Sequence, residues 1–283
     1  MPLLLFTSLV FVGSFLAGLV GALTGLGGAV VLIPLLTLGF HVDLRYAIGA
    51  SLISVIATSS GAAAAYVRDG LSNVRIGMFL EVATTIGAVF GAFLATRVPT
   101  HALAVVFGLV LIYSAWLSRS QKAHPPEKAT PNPWSDRLRM SGSYPVKGCG
   151  TADGKVSYRV DRISWGFATM FGAGTLSGLL GIGSGAVKVL AMDKIMRIPF
   201  KVSTTTSNFM IGVTAAASAG IYLARGYVDP GLAFPVMLGV LAGSLLGAKV
   251  LVRARVEVLR TVFAVVILGL GLEMIVNGLL GKV

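Results

Sequence analysis

Two glycine-rich stretches decide how this chain folds: Gly25-Leu26-Gly27-Gly28-Ala29-Val30-Val31-Leu32-Ile33-Pro34 and, 156 residues later, Gly181-Ile182-Gly183-Ser184-Gly185-Ala186-Val187-Lys188-Val189-Leu190. In each, a glycine cluster precedes a short apolar segment, 28–40 in the first and 185–199 in the second. About 13 residues give roughly 20 Å of helix, too little to cross a hydrocarbon core about 30 Å thick. Because glycine permits sharp reversals, each stretch predicts a hairpin in or near the membrane, with a helix beginning after the glycines.

The composition around these stretches is that of a membrane protein. Of 283 residues, 55% are apolar and only 12% are charged, whereas a soluble domain carries about 25% charge. The mean hydropathy is +0.86. Ten apolar segments follow one another: 3–23, 28–40, 46–67, 76–96, 101–117, 164–182, 185–199, 202–224, 231–252 and 258–281. A soluble globular protein is excluded, and the fold class predicted is an all-α polytopic membrane protein.

The two halves of the chain form an internal repeat. A constant offset of 156 aligns them without a gap and pairs, among others, Phe15 with Phe171, Tyr66 with Tyr222 and Gly87 with Gly243. This predicts a first transmembrane repeat over 1–117, a linker over 118–162 and a second repeat over 163–283. The first part of the linker is rich in proline and predicts disorder, whereas the alternating residues 155–160 predict a small hairpin.

Charge counting predicts how the repeats are oriented. If each repeat begins with a hairpin that returns to its own side, 18 of the 23 basic residues lie on one face and 4 on the other. If the second segment instead dips back to the far side, the repeats become parallel and the split is 13 against 9. Positive loops stay in the cytoplasm, so we expect inverted repeats with both termini outside and a cytoplasmic linker. Because this rule explains the net charge of +12, no nucleic-acid partner is expected.

No enzyme signature accompanies this architecture. Cys149 is the single cysteine of the sequence, which excludes an internal disulfide and paired-thiol chemistry. His41, His101 and His124 are isolated, and no metal-ligand spacing, nucleophile motif or nucleotide-binding loop is found. We therefore expect no enzymatic activity, no cofactor and no metal.

The glycine hairpins are the first candidates for a binding site. Backbone N–H groups at a helix N-terminus, together with the helix dipole, bind anions without any basic side chain. The candidates are Gly27, Gly28, Gly183, Ser184 and Gly185. The alternative is that these residues only permit tight turns and close helix packing.

Polar side chains near the hairpins extend the candidate site. Ser51 lies in the third segment, and Ser207 and Asn208 lie at the equivalent place in the second half. Their hydroxyl and amide groups are suited to oxyanions, although such side chains also bond to their own helix. The predicted partners are a small anion, held between the two glycine clusters near the middle of the membrane, and the lipid bilayer. A homodimer is left open.

Among the ionisable residues within apolar segments, where charge is costly, three are candidates for function. Lys188 replaces the leucine at the equivalent position, Leu32, and is a candidate to neutralise a substrate anion. The alternatives are that it reaches the membrane surface or pairs with Asp193. Glu81 and Glu273 are candidates for ion coupling, the alternative being that both reach an interface.

These residues resemble the sulfite exporter TauE/SafE family. The resemblance is carried by Gly25-Leu26-Gly27-Gly28-Ala29 with Pro34, by 47–52, by the repeat 178–185 and by Thr205-Thr206-Ser207-Asn208-Phe209-Met210. It implies a bacterial or archaeal inner-membrane permease that moves sulfite or organosulfonates such as sulfoacetate, usually outward and coupled to an ion gradient. Two departures, Ser184 where the family often has glycine and Leu190 where proline is common, suggest a differently bent second hairpin or one that binds with a hydroxyl as well.

The leading hypothesis is therefore a secondary transporter that exports a small anion. A passive anion channel and an uptake permease for a small carboxylate or sulfonate are the alternatives. A membrane thiol relay, or thiosulfate uptake through intramembrane cysteines, is disfavoured because the sequence has one cysteine.

Overall fold

The computed structural model describes residues 3–24, 28–68, 72–120, 140–145, 155–251 and 256–281. These residues are mostly helical, as the composition predicts. The helices are α1 Leu3–Thr24, α2 Ala29–Pro34, α3 Leu44–Arg68, α4 Val74–Ala95, α5 Thr100–Ser120, α6 Ile163–Leu180, α7 Gly185–Leu190, α8 Phe200–Ala224, α9 Pro230–Leu251 and α10 Val256–Leu279. The π-helical turns π1 (Leu35–Gly39) and π2 (Ala191–Ile195) directly prolong α2 and α7.

Several of these helices have the length and apolarity of membrane spans. Within the described residues, three meet both criteria: Val74–Ala95, Val202–Ala224 and Pro230–Gly247, with mean hydropathies of 1.8, 1.3 and 1.7. Their outward faces carry large exposed apolar side chains such as Phe90, Leu238 and Leu245. In water this exposure would be unfavourable, whereas lipid chains cover such surfaces at no cost.

The first two helices form the predicted hairpin. The ring of Phe6, near the start of α1, packs edge-on against Phe40 at the end of π1, with centroids 6.0 Å apart. Midway along the hairpin, a Cβ atom on Gly13 would lie 3.0 Å from a methyl carbon of Leu35. The segment α2-π1 therefore runs back along α1, and the hairpin ends on the side where it began.

The second hairpin bends at the same place as the first. Both have a six-residue helix followed by a five-residue π-turn. Pro34 ends α2, and its missing N–H favours a change of hydrogen-bond pattern there. Leu190 ends α7 without a proline, yet π2 follows in the same way. The π-turns therefore occur at equivalent places with and without a proline. The hairpins differ where their short helices begin, because Gly28 before α2 has a φ of −66° and its equivalent Ser184 before α7 has a φ of 43°.

Close crossings between small residues hold the bundle together. α1 packs against α9, and α6 packs against α4. A Cβ atom on Gly18 of α1 would lie 2.7 Å from Cα of Val240, and one on Gly174 of α6 would lie 2.8 Å from Cα of Thr84. Real Cβ atoms do not approach so closely, so glycine is required at both crossings. Such contacts between backbones are the main source of helix association in lipid.

The end of the linker is folded against the bundle. Strands β1 (Gly142–Pro145) and β2 (Lys155–Tyr158) pair antiparallel, which confirms the small hairpin predicted for this region. Tyr158 is buried among apolar side chains of α4 and α8, and its hydroxyl accepts a hydrogen bond of 2.8 Å from Asn73 Nδ2. Burial raises the pKa of the Tyr158 phenol above its ordinary value. The proline-rich part of the linker and Cys149 lie outside the described residues.

Candidate functional site

The second glycine cluster forms a tight, buried turn between α6 and α7. Gly181 and Gly183 have positive φ angles of 67° and 70°, and Ser184 has a φ of 43°. Glycine adopts this left-handed region at little cost, whereas other residues are strained there. The Gly181 N–H donates to the Ser177 carbonyl at 2.8 Å and so closes α6. Residues 182–185 then turn into α7, so their N–H groups lie at the start of that helix, where the helix supplies few partners of its own.

Three serine hydroxyls hold this turn. Ser51 Oγ of α3 donates to the Gly181 carbonyl at 3.0 Å, and Ser207 Oγ of α8 donates to the Gly185 carbonyl at 3.3 Å. Ser184 Oγ donates to the Ala173 carbonyl at 2.6 Å. Each hydroxyl has one proton, and each uses it on a backbone carbonyl. In this conformation the serines therefore position the hairpin and have no proton left to donate to an anion.

Lys188 is the main charged feature of the site. It follows the turn on α7 and is completely buried, with 0% of its side chain exposed. Its Nζ donates a hydrogen bond of 2.6 Å to Thr214 Oγ1 on α8. Thr214 Oγ1 in turn lies 2.7 Å from Glu81 Oε1 on α4 and donates to it. One hydroxyl thus bridges an ammonium and a carboxylate from three different helices, and complete burial rules out that Lys188 reaches the membrane surface in this conformation.

The bridge leaves polar groups without partners. Glu81 is 7% exposed, and its Oε2 atom is buried without a hydrogen-bond partner among the described residues. Glu81 Oε1 also accepts from Thr85 Oγ1 at 3.2 Å. An ammonium has three donors, and Thr214 is the acceptor found for Lys188 in the described part of the chain. Buried polar groups without a partner are rare in proteins and are candidates to bind a polar ligand.

The structure brings together most, but not all, of the predicted site. Lys188, Ser51, Ser184, Gly185 and Ser207 meet at the second hairpin, as the preceding contacts show, and Gly183 lies in the same turn. Gly28 packs elsewhere, because a Cβ atom there would lie 3.1 Å from Val240 Cγ1 and 3.2 Å from Gly18 Cα. Gly27 lies outside the described residues. The placement of the substrate between the two glycine clusters therefore remains a prediction.

The two remaining candidates lie apart from the bridge. Asn208 is half-buried on α8 and makes no side-chain hydrogen bond with the described residues. Glu273 is exposed on α10, next to the exposed Leu272 and near Val276. Neither is among the hydrogen-bond partners of Lys188 or Glu81 in the described residues.

The sequence did not single out Thr214 as functional. The offset of 156 between the two halves pairs it with Thr58. In α3, Thr58 Oγ1 donates back to the Ser54 carbonyl at 3.0 Å, which is the usual role of a helical threonine. Thr214 also lies 2.9 Å from its own helix carbonyl, that of Met210. Nothing in the sequence shows that its hydroxyl meets two charged groups as well.

Polar contacts gather loops at each end of the bundle. At one end, Arg45 Nη2 donates to the Val98 carbonyl at 2.9 Å, and its guanidinium lies 5.5 Å from the centre of the Tyr227 ring. At the other end, the Asn73 N–H donates to Thr206 Oγ1 at 3.0 Å. The described residues hold no cluster of three or more side chains suited to a metal ion.

Comparison with known proteins identifies the family. Residues 10–274 match the family described as Sulfite exporter TauE/SafE. Three Bacillus subtilis (strain 168) proteins are similar in sequence. The Probable membrane transporter protein YunE is 28% identical over 285 residues, which cover 97% of this chain and 98% of YunE. The Probable membrane transporter protein YjnA is 30% identical, over 95% of this chain and 99% of YjnA. The Probable membrane transporter protein YdhB is 29% identical, over 85% of this chain and 89% of YdhB.

No solved structure matches this chain. The family match extends from α1 to the last turns of α10, and the resemblance expected from the glycine stretches is confirmed. The family and these relatives are membrane transporters and not enzymes. The structure is a bundle of apolar helices with a buried ammonium on the short helix α7. By its match over residues 10–274, this chain belongs to the TauE/SafE family of membrane transporters.

Proposed function

We propose that this protein is a secondary transporter that exports small sulfur-containing anions, sulfite or organosulfonates such as sulfoacetate, across the cytoplasmic membrane and couples this export to an ion gradient. The observation that carries the proposal is the complete burial of Lys188 beside a glycine turn in a membrane bundle. A buried cation is costly and is retained where it meets an anion.

The anion is proposed to bind at the second hairpin. The N–H groups of 182–185 at the start of α7 and the Lys188 ammonium are donors of the kind that sulfonate and sulfite oxygens accept. Ser51, Ser184 and Ser207 fix these donors by bonding to carbonyls of the hairpin and of α6. One cation with backbone donors holds an anion without the grip of several fixed charges, and this favours release on the far side.

The inverted-repeat arrangement is part of the proposal, with repeats over 1–117 and 163–283, a cytoplasmic linker and both termini outside. Matched packing supports the repeat, because α1 against α9 corresponds under the offset of 156 to α6 against α4. The loop contacts support it as well. Parallel repeats would place Arg45 and Tyr227 on opposite faces of the membrane, whereas these two residues are in contact.

Transport in liposomes tests the function. The purified protein is reconstituted, and counterflow of radiolabelled sulfite, sulfoacetate and acetate is measured. We expect saturable exchange of the sulfur anions, its loss in Lys188→Met and its retention in Lys194→Met, which removes the same charge from an exposed position close by. Flux that rises linearly with concentration would indicate the passive channel instead, and exchange of acetate alone would indicate a carboxylate permease.

Cysteine labelling tests the orientation. In a Cys149→Ala background, single cysteines replace Pro131 in the linker and Lys282 at the C-terminus. A membrane-impermeant maleimide should label the cysteine at position 282 in intact cells, and the one at position 131 only after permeabilisation. Labelling of both from outside would contradict inverted repeats. Labelling after permeabilisation is the control that each site is reactive.

A further inference from the structure

The bridge between Lys188 and Glu81 joins two parts of the chain that the sequence keeps far apart. Lys188 and Thr214 belong to the second half, and Glu81 belongs to the first. Both charged groups keep hydrogen-bonding capacity. Glu81 Oε2 has no partner among the described residues. The Lys188 ammonium has three donors, and Thr214 Oγ1 is the acceptor found for it among those residues. A site of this kind has room in its hydrogen bonding for one more anionic or protic group.

In the described residues, few other ionisable side chains lie on the elements that pack around this bridge. Of the helices packed against α4, α6 has no ionisable residue. α8 has Lys201, about 20 Å along the helix from Thr214, and Tyr222, about 12 Å along it. The Tyr222 hydroxyl donates to the Gly178 carbonyl at 3.2 Å.

The charges nearest in sequence lie at the ends of their elements. Arg75 begins α4, about 9 Å along the helix from Glu81. Asp193 and Lys194 lie on π2, after α7. In the described part of the chain, Lys188 and Glu81 are therefore the two charged groups that the Thr214 hydroxyl joins.

We propose that binding of an anion at Lys188 is coupled to the uptake of one proton by Glu81. The inference rests on the proposed function, since it requires that an anion reaches Lys188. In the free state the Glu81 carboxylate neutralises the ammonium through Thr214. An arriving anion takes over that role and would leave two negative charges beside one positive charge in a buried site. Glu81 then takes a proton from solvent and becomes neutral, with no other bond formed or broken.

The geometry at Thr214 suits both states. Its single hydroxyl proton has two acceptors within reach, Glu81 Oε1 at 2.7 Å and the Met210 carbonyl at 2.9 Å. While Glu81 is ionised, the hydroxyl donates to the carboxylate. Once Glu81 is protonated, the hydroxyl turns to Met210 and accepts a hydrogen bond from the carboxylic acid. Neither state leaves the Thr214 hydroxyl unpaired.

Isothermal titration calorimetry on the purified full chain tests the coupling. Sulfoacetate and isethionate serve as probes because both stay ionised around neutral pH, and each titration is run in buffers of different protonation enthalpy to count protons. We expect about one proton taken up per anion, and an affinity that rises about tenfold for each unit that the pH falls while Glu81 is ionised in the free protein. Glu81→Gln should bind with no proton uptake and no pH dependence.

Matched variants separate coupling from folding. Thr214→Val should change the number of protons taken up per anion, whereas Thr214→Ser should keep it. Lys194→Met should show the same anion binding and proton uptake as the wild type. Anion binding with no proton uptake in the wild type, or with uptake that persists in Glu81→Gln, would overturn the coupling and leave the transport function standing. Loss of uptake in Glu273→Gln alone, or a requirement for sodium in place of protons, would overturn it too. Failure of both probes to bind would overturn the coupling and the sulfonate part of the proposed function together.

Discussion

Replacing either Lys188 or Glu81 alone should lower the free energy of unfolding more than replacing both together. Lys188 has no exposed surface and Glu81 is 7% exposed, so either group without the other is a buried charge with one bridging hydroxyl left to solvate it. Breaking one side of a buried ion pair costs about 3–5 kcal/mol in the free energy of unfolding. We expect the lower end, about 3 kcal/mol for each of Lys188→Met and Glu81→Gln, because a buried carboxyl or amine escapes part of this cost by becoming neutral.

The double variant removes both charges together. Methionine fills most of the volume of lysine, and glutamine keeps an oxygen for the Thr214 hydroxyl, so the double variant should lose only about 1 kcal/mol. The sum of the single losses therefore exceeds the double loss by several kcal/mol, and we take about 2 kcal/mol as the smallest excess that supports the bridge.

The measurement is a double-mutant cycle on detergent-solubilised protein. Unfolding by SDS in mixed micelles, followed by tryptophan fluorescence, gives the free energy of unfolding of the four variants. Lys194→Met with Glu273→Gln is the matched control cycle, because both side chains are exposed. Its losses should add to within about 0.5 kcal/mol. Additive losses in the Lys188 and Glu81 cycle as well would refute the buried bridge.

Two further predictions concern the glycines and the turn. Gly174→Ala should destabilise the bundle by about 2 kcal/mol or more in the same unfolding assay, because its Cβ would lie 2.8 Å from Cα of Thr84. Gly172→Ala should be neutral or slightly stabilising, because a Cβ atom there meets nothing within 4 Å. Equal losses of stability in the two variants would contradict the crossing. Gly183→Ala should reduce counterflow more than Ser184→Ala does. The alanine at position 183 strains a left-handed backbone, and its Cβ lies 2.9 Å from Ile211 Cγ2, whereas Ser184→Ala removes one hydrogen bond worth about 0.5–1.5 kcal/mol. The reverse order would show that transport needs the Ser184 hydroxyl and not the turn.

The order of helices along the chain could be predicted because a helix that crosses lipid needs a long run of apolar residues. Apolar runs are long where a helix crosses lipid and end where loops meet water, so the bounds of α4 and α9 differ from the predicted ones by one or two residues. The hairpins could be predicted for a similar reason, since a short apolar segment after glycines has few other ways to satisfy its backbone in lipid. Neither inference needs to know which side chains touch.

The contacts of the site could not be predicted in the same way. The hydroxyl of Ser184 looked suited to an anion, but it donates to the Ala173 carbonyl, a partner set by how α7 packs on α6. Thr214 was passed over because a helical threonine usually bonds to its own helix, as Thr58 does. Such choices depend on the rotation and separation of neighbouring helices, and the spacing of apolar residues fixes those only roughly.

The repeat separates the scaffold of this protein from its chemistry. Residues that shape the hairpins and crossings occur at equivalent positions in both halves, whereas the two charges of the bridge do not. The position equivalent to Lys188 is Leu32, and the position equivalent to Glu81 is Met237. Thr214 has a hydroxyl equivalent in Thr58, but without charged neighbours that hydroxyl donates to its own helix. Two opposite charges at positions that the offset of 156 does not pair meet at one hydroxyl. In the proposed repeat arrangement, this difference between the halves is what would let one of the two hairpins bind an anion and a proton together.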